Sequence, residues 1–199
     1  MRFRPVLRAT IPALALTLLA QPAFAGWKLI RANAPVNVSG LATTPQSDWN
    51  SGGKIGPQAV IWTHDGFDLN ELIFFGPVAA GDTLFKERSR KKDPFPHFSG
   101  ELLLPELPDF YERSFRAVFD VTDFTITATE KSRIGNAPAI TVRYRYLLPG
   151  DPLVRQGEAR LAIDHGRLFA IAFSAPGLHY FDAGIVEVRA MMDGARVSG

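Results

Sequence analysis

The chain of 199 residues contains no cysteine and only four histidines, His64, His97, His165 and His179, scattered along its length. The first absence excludes disulfides, thiolate metal sites and a cysteine nucleophile together. It also excludes the lipid-bearing cysteine that anchors bacterial lipoproteins. The second leaves no pair of histidines close enough to form a local metal-binding motif. No Gly-x-Ser-x-Gly elbow is present, so the usual platform of a serine hydrolase is missing. The segment Gly52-Gly53-Lys54-Ile55-Gly56 is too short for a phosphate loop and precedes a strand instead of following one. Taken together, these absences predict a protein that is not an enzyme and needs no cofactor.

What the chain does have is an export address. Arg2, Arg4 and Arg8 precede an apolar stretch from Ile11 to Leu19, and Ala23-Phe24-Ala25 supplies small residues at the positions a signal peptidase reads. The apolar stretch is shorter than the roughly 20 residues of a bilayer span. Residues 1–25 therefore read as a signal peptide cut between Ala25 and Gly26, giving a periplasmic or secreted product with no transmembrane segment. The leader carries three of the 22 basic residues and none of the 20 acidic ones, which leaves a mature chain with 19 against 20. The basic character of the precursor thus belongs to the leader, and nucleic acid is not an expected partner.

The remaining 174 residues, cut from a parent chain that is 46% hydrophobic with 15 phenylalanines, suit one packed domain. Residues 26–57 are rich in Gly, Pro, Ser, Thr and Asn, and predict an irregular entry with at most one short strand. Within 58–199, Ala59 to Thr63 and Leu69 to Gly76 read as two strands around the turn His64-Asp65-Gly66. Leu104, Leu107, Tyr111, Phe115 and Val118 recur at helical spacing, with Pro105 and Pro108 allowed only in a first turn. Period-two alternation follows in Phe124 to Thr129, Ile140 to Tyr146 and Glu158 to Ile163, then Leu168 to Phe173 is apolar on both faces. Phe181, Ile185, Val188 and Met192 close the chain as an amphipathic helix. The expected fold is a single α+β domain, an antiparallel sheet of about six strands with helices packed on it.

Two clusters carry a resemblance. Trp62-Thr63-His64-Asp65-Gly66 with Leu69-Asn70-Glu71-Leu72, and Ala175-Pro176-Gly177-Leu178-His179-Tyr180-Phe181, are similar to a group of uncharacterised exported proteobacterial proteins, many of them lipoproteins. The element order resembles the PsbP-like α/β/α sandwich. These likenesses imply a fold and a location, and they imply no catalytic residue.

Candidate binding residues come from charge and placement. Pairing Leu148 with Leu153 across Pro149-Gly150-Asp151-Pro152 sets Arg143 opposite Glu158 and Thr141 opposite Arg160, on a face expected to be solvated. Arg145 and Arg160 then lack obvious partners and, with His179 and Tyr180 at the start of the last helix, form a candidate ligand site. Lys86, Arg88, Arg90, Lys91 and Lys92 form a basic loop suited to an anionic surface. The function these features suggest is a non-enzymatic binding or assembly module of the bacterial cell envelope, with an envelope protein or lipid as partner. The alternative is a small-molecule or lipid carrier whose ligand lies between helix and sheet near Tyr144, Tyr146, His179 and Tyr180, and the third reading is an unrecognised hydrolase.

Overall fold

A computed structural model describes residues 26–87, 94–121 and 123–198. The expected signal peptide, residues 1–25, and the loop cations Arg88, Arg90, Lys91 and Lys92 lie outside the described residues. The chain runs through β1 (Lys28–Ile30), β2 (Val36–Val38), β3 (Leu41–Thr43), β4 (Trp49–Lys54), β5 (Ala59–Thr63) and β6 (Glu71–Val78). A single 3-10 turn (Leu104–Glu106) leads into α1 (Leu107–Phe119). Then come β7 (Phe124–Ile134), β8 (Ala137–Tyr146), β9 (Arg155–Asp164), β10 (Arg167–Pro176), α2 (Tyr180–Gly194) and β11 (Arg196–Val197).

These strands correct the expected architecture. The fold is mainly β, with an eight-stranded sheet in the order β1-β4-β5-β6-β10-β9-β8-β7 and a second, three-stranded sheet in the order β11-β3-β2. It is not a six-stranded α+β sandwich. The difference lies in residues 26–57, which hold β1 to β4 where an irregular entry was expected. Three of those strands have three residues each, too few for a period-two pattern to emerge between turns.

All pairings in the large sheet are antiparallel, and β10 lies between β6 and β9 near its centre. That position explains why β10 is apolar on both faces. The hairpin between β9 and β10 turns at His165 and Gly166, both with positive φ (49° and 71°), the geometry of a two-residue turn matched to strand twist. Each face of the sheet has its own core. On one face α1 buries Phe110, Tyr111 and Phe115 against Tyr144, Tyr146, Leu161 and Ala172. On the other, α2 buries Phe181, Ile185, Val188 and Met192 with Phe173, Ile171 and the residues of the small sheet. Each such side chain contributes about 1.5–3 kcal/mol relative to exposure. Among the described residues no helix is long and apolar enough to cross a membrane.

Candidate functional site

The cross-strand register expected around the β8–β9 turn is present: Arg143 faces Glu158 and Thr141 faces Arg160. Their surroundings differ from expectation, because α2 covers this face. Glu158 is 1% exposed and accepts hydrogen bonds from Arg143 Nε (3.0 Å) and from Arg189 Nη2 of α2 (2.7 Å). Arg143 also forks onto Glu130 of β7 at 2.7 and 3.1 Å. Burial would push the Glu158 carboxyl up, but donation from Arg189 and Arg143 outweighs it and holds the group below its ordinary value. The network ties β7, β8, β9 and α2 together.

The candidate ligand site of Arg145, Arg160, His179 and Tyr180 does not assemble. Arg160 is buried and donates to Asp193 Oδ1 (2.8 Å) and to the Arg133 carbonyl (3.3 Å), near the C-terminal end of α2. His179 is exposed at the opposite end of that helix, with its ring edge-on to Tyr180 at 5.6 Å. At 1.5 Å per residue the two helix ends stand about 20 Å apart. Arg145 is exposed, placed between Thr125 and Gln156 in the sheet. Tyr144 and Tyr146 point to the α1 face, so the sheet separates them from His179 and Tyr180.

A cluster without any local sequence signal joins Ser47, Trp49, His64 and Glu187. Glu187 of α2 accepts from Ser47 Oγ (2.7 Å), Trp49 Nε1 (3.1 Å) and the backbone N–H groups of Gln46 and Ser47 (3.0 and 2.9 Å). His64 Nε2 lies 3.0 Å from Ser47 Oγ and 3.6 Å from Glu187, and its ring lies 3.7 Å from that of Trp49. The residue types are those of a serine hydrolase, but the order is wrong. In a triad the acid orients the far ring nitrogen and leaves the serine proton to histidine. Here the Ser47 hydroxyl donates its hydrogen bond to the Glu187 carboxylate and not to His64, which is not the triad arrangement. Burial raises the Glu187 carboxyl, and the donors from Ser47, Trp49 and Gln46 bring it below its ordinary range. The cluster fastens the segment before β4 to α2.

The remaining histidines are also single. His97 donates from Nδ1 to the Gly81 carbonyl at 2.6 Å, and exposed His165 lies beside Asp164. Among the described residues no group of three His, Asp or Glu side chains is arranged to hold a metal ion.

The α1 face carries a groove. It has a volume of about 380 Å³ and opens between the C-terminal end of α1 and strands β4 to β6, walled by Ile61, Phe67, Phe85, Val118 and Phe119. The tip of the Phe67 ring points at Gly52, where a Cβ atom would stand 2.1 Å from Cζ, so glycine is what admits this wall. Trp27, half-exposed on the segment leading into β1, extends the apolar rim at 5.1 Å from Phe67. Glu71, the first residue of β6, places the one carboxyl on the groove wall, and Lys54 and Lys86 stand at its exposed rim. Lys86 is the described member of the basic loop. Burial pushes the Glu71 carboxyl up to about 7, against the lowering effect of the Arg155 charge and with a further raising effect from Asp68.

Beyond Glu71 the core is polar in places. The Tyr111 and Tyr144 hydroxyls meet at 2.9 Å, and the Tyr146 hydroxyl donates to Ser174 Oγ at 3.2 Å. Burial raises all three phenols, Tyr146 to about 12, and keeps them neutral. Neither helix periodicity nor strand alternation singles out Glu71, because a lone glutamate at a strand start looks like a surface residue.

An eight-stranded antiparallel sheet with one helix core on each face is a PsbP-like fold. The chain is similar to cyanobacterial PsbP (CyanoP) from Synechocystis sp. PCC 6803, with a TM-score of 0.53 and 14% identity over 92% of this chain and 98% of that one. It is also similar to the Ran-binding protein Mog1p of Saccharomyces cerevisiae, with a TM-score of 0.50 and 9% identity over 87% of this chain and 96% of the other. At these identities the likeness is one of fold alone. No protein family and no curated protein sequence matches the chain.

Proposed function

We propose that the protein is an exported, non-catalytic binding module of the bacterial cell envelope, and that it holds a small amphipathic molecule in the groove beneath the end of α1. The observation that carries this reading is the groove itself. Its volume of about 380 Å³ falls within the ~300–1,000 Å³ of small-molecule sites, and its walls are aromatic and aliphatic around a single carboxyl. The groups that resemble catalytic machinery are engaged in holding the fold together, Ser47 with Glu187 above all. Export rests on the leader and on the likeness to exported proteobacterial proteins, from which this chain departs by lacking the anchoring cysteine.

Two measurements test the reading. The neutral fluorophore N-phenyl-1-naphthylamine should brighten and shift to the blue on titration with the mature domain. Val118→Trp, which fills the groove from the partly buried side of α1, should weaken that binding at least tenfold while leaving the thermal midpoint nearly unchanged. Equal binding by both proteins, or none by either, contradicts a ligand site there. For location, the full precursor expressed in a bacterium should yield a periplasmic product whose N-terminal residue is Gly26. An uncut cytoplasmic chain would contradict export.

A second reading, docking of another envelope protein, is favoured by one observation. Leu153 and Val154 in the β8–β9 loop and Leu178 before α2 are exposed (42%, 51% and 83%), and the Gly177 N–H bonds the Val154 carbonyl at 3.0 Å, bringing the two loops together. A photo-crosslinker at position 178 in intact cells should then trap a defined protein.

A further inference from the structure

We infer that the groove selects a small organic cation, an ammonium borne on an aryl or alkyl body, with the Glu71 carboxylate as its counter-charge. This inference rests on reading the groove as a ligand site. Three features of the wall point to it. Glu71 has no hydrogen bond and no ion pair within 4 Å among the described residues, although it sits in an apolar wall where an unpaired carboxylate is costly. Its missing partner is supplied from the groove. Phe67, Phe85 and Phe119 present three rings around the same space, and aromatic faces attract a desolvated ammonium. Asp68, exposed on the adjoining turn, adds negative charge on the same side.

The other charges around Glu71 do not fill this role. Arg155, buried on β9, acts on Glu71 through its charge but makes no hydrogen bond or ion pair with it, its Nη2 lying 3.4 Å from Asp151. Tyr111, Tyr144 and Tyr146 face Glu71 from α1 and β8 and stay neutral because burial raises their pKa values. Lys54 and Lys86 are long, exposed side chains at the rim, free to swing into solvent. An anion entering the groove would meet an acidic wall. A neutral molecule would leave that wall unpaired.

A cation bound at Glu71 requires the carboxyl to be ionised. With the empty site titrating at about 7, roughly a tenth of it is ionised at pH 6 and nine-tenths at pH 8. Apparent affinity for an amine that stays protonated over this range should therefore rise about tenfold between those pH values. The test is displacement of N-phenyl-1-naphthylamine by three compounds of one shape: 4-phenylbutylamine, 4-phenylbutan-1-ol and 4-phenylbutanoate. The amine should compete best, and about tenfold better at pH 8 than at pH 6. Glu71→Gln should still bind the fluorophore, which shows it is folded, yet lose both the amine preference and its pH dependence. If the alcohol or the carboxylate competes as well as the amine, or if Glu71→Gln keeps the preference, the inference is overturned while the groove stands as a site. If the fluorophore itself fails to bind the wild-type domain, both readings fall.

Discussion

Glu158→Ala is expected to lower the unfolding free energy by about 3 kcal/mol, measured as the shift of the urea transition at pH 7. Glu158 is almost fully buried under α2 and neutralises Arg143 and Arg189 at once. Its removal leaves two guanidinium groups facing each other across a cavity, and among the described residues only Arg143 keeps an ion pair, to Glu130. Both arginines keep some solvent contact, which places the cost at the lower end of that for breaking a buried pair. The pH dependence has a fixed sign. Because the folded carboxyl is held below its ordinary value, its stabilisation is present above the ordinary glutamate pKa and is lost as pH falls through the folded one. Glu158→Ala should therefore flatten the acid limb of the stability profile.

Glu71→Gln is expected to do the opposite and stabilise the domain at alkaline pH. With the folded carboxyl at about 7 and an ordinary value of 4.5, the folded chain binds more protons than the unfolded chain between those limits. Stability of the wild type then falls as pH rises from about 4.5 to 7 and levels off above 7. The full shift corresponds to a cost on the order of 3 kcal/mol, and residual solvent around a partly exposed group reduces it to about 2 kcal/mol. Urea midpoints should show the variant more stable than wild type by that amount at pH 8 and equal to it at pH 4.5.

These two carboxylates show how much of the molecule was legible in its sequence. The register that pairs Arg143 with Glu158 follows from counting outward from Pro149-Gly150-Asp151-Pro152, since side chains alternate strictly along strands. What counting leaves out is which face is covered. Thr141, Arg143 and Arg145 look like a solvated face, and only the docking of α2 turns Glu158 into a buried hub. Both helices are legible because Tyr111, Phe115, Phe181, Ile185, Val188 and Met192 fall at helical spacing, and all six are buried. The strands β1 to β4 are not, because runs of three to six residues broken by Gly and Pro carry no measurable period.

The site was less legible than the fold. Glu71, Phe67 and Val118 come from a strand start, a turn and a helix end, and no spacing rule links them. The Ser47, His64 and Glu187 cluster joins residues separated by as many as 140 positions. Charge drew attention to Arg145, Arg160 and His179 instead, and the length of α2 keeps Arg160 and His179 apart.

Native mass spectrometry of the protein, expressed from its full sequence and purified gently without detergent, tests ligand binding in the groove most directly. The wild type should carry a small molecule of defined mass that collisional activation releases and that Val118→Trp lacks. A bare wild-type spectrum, or the same adduct on Val118→Trp, would contradict the groove as the binding site.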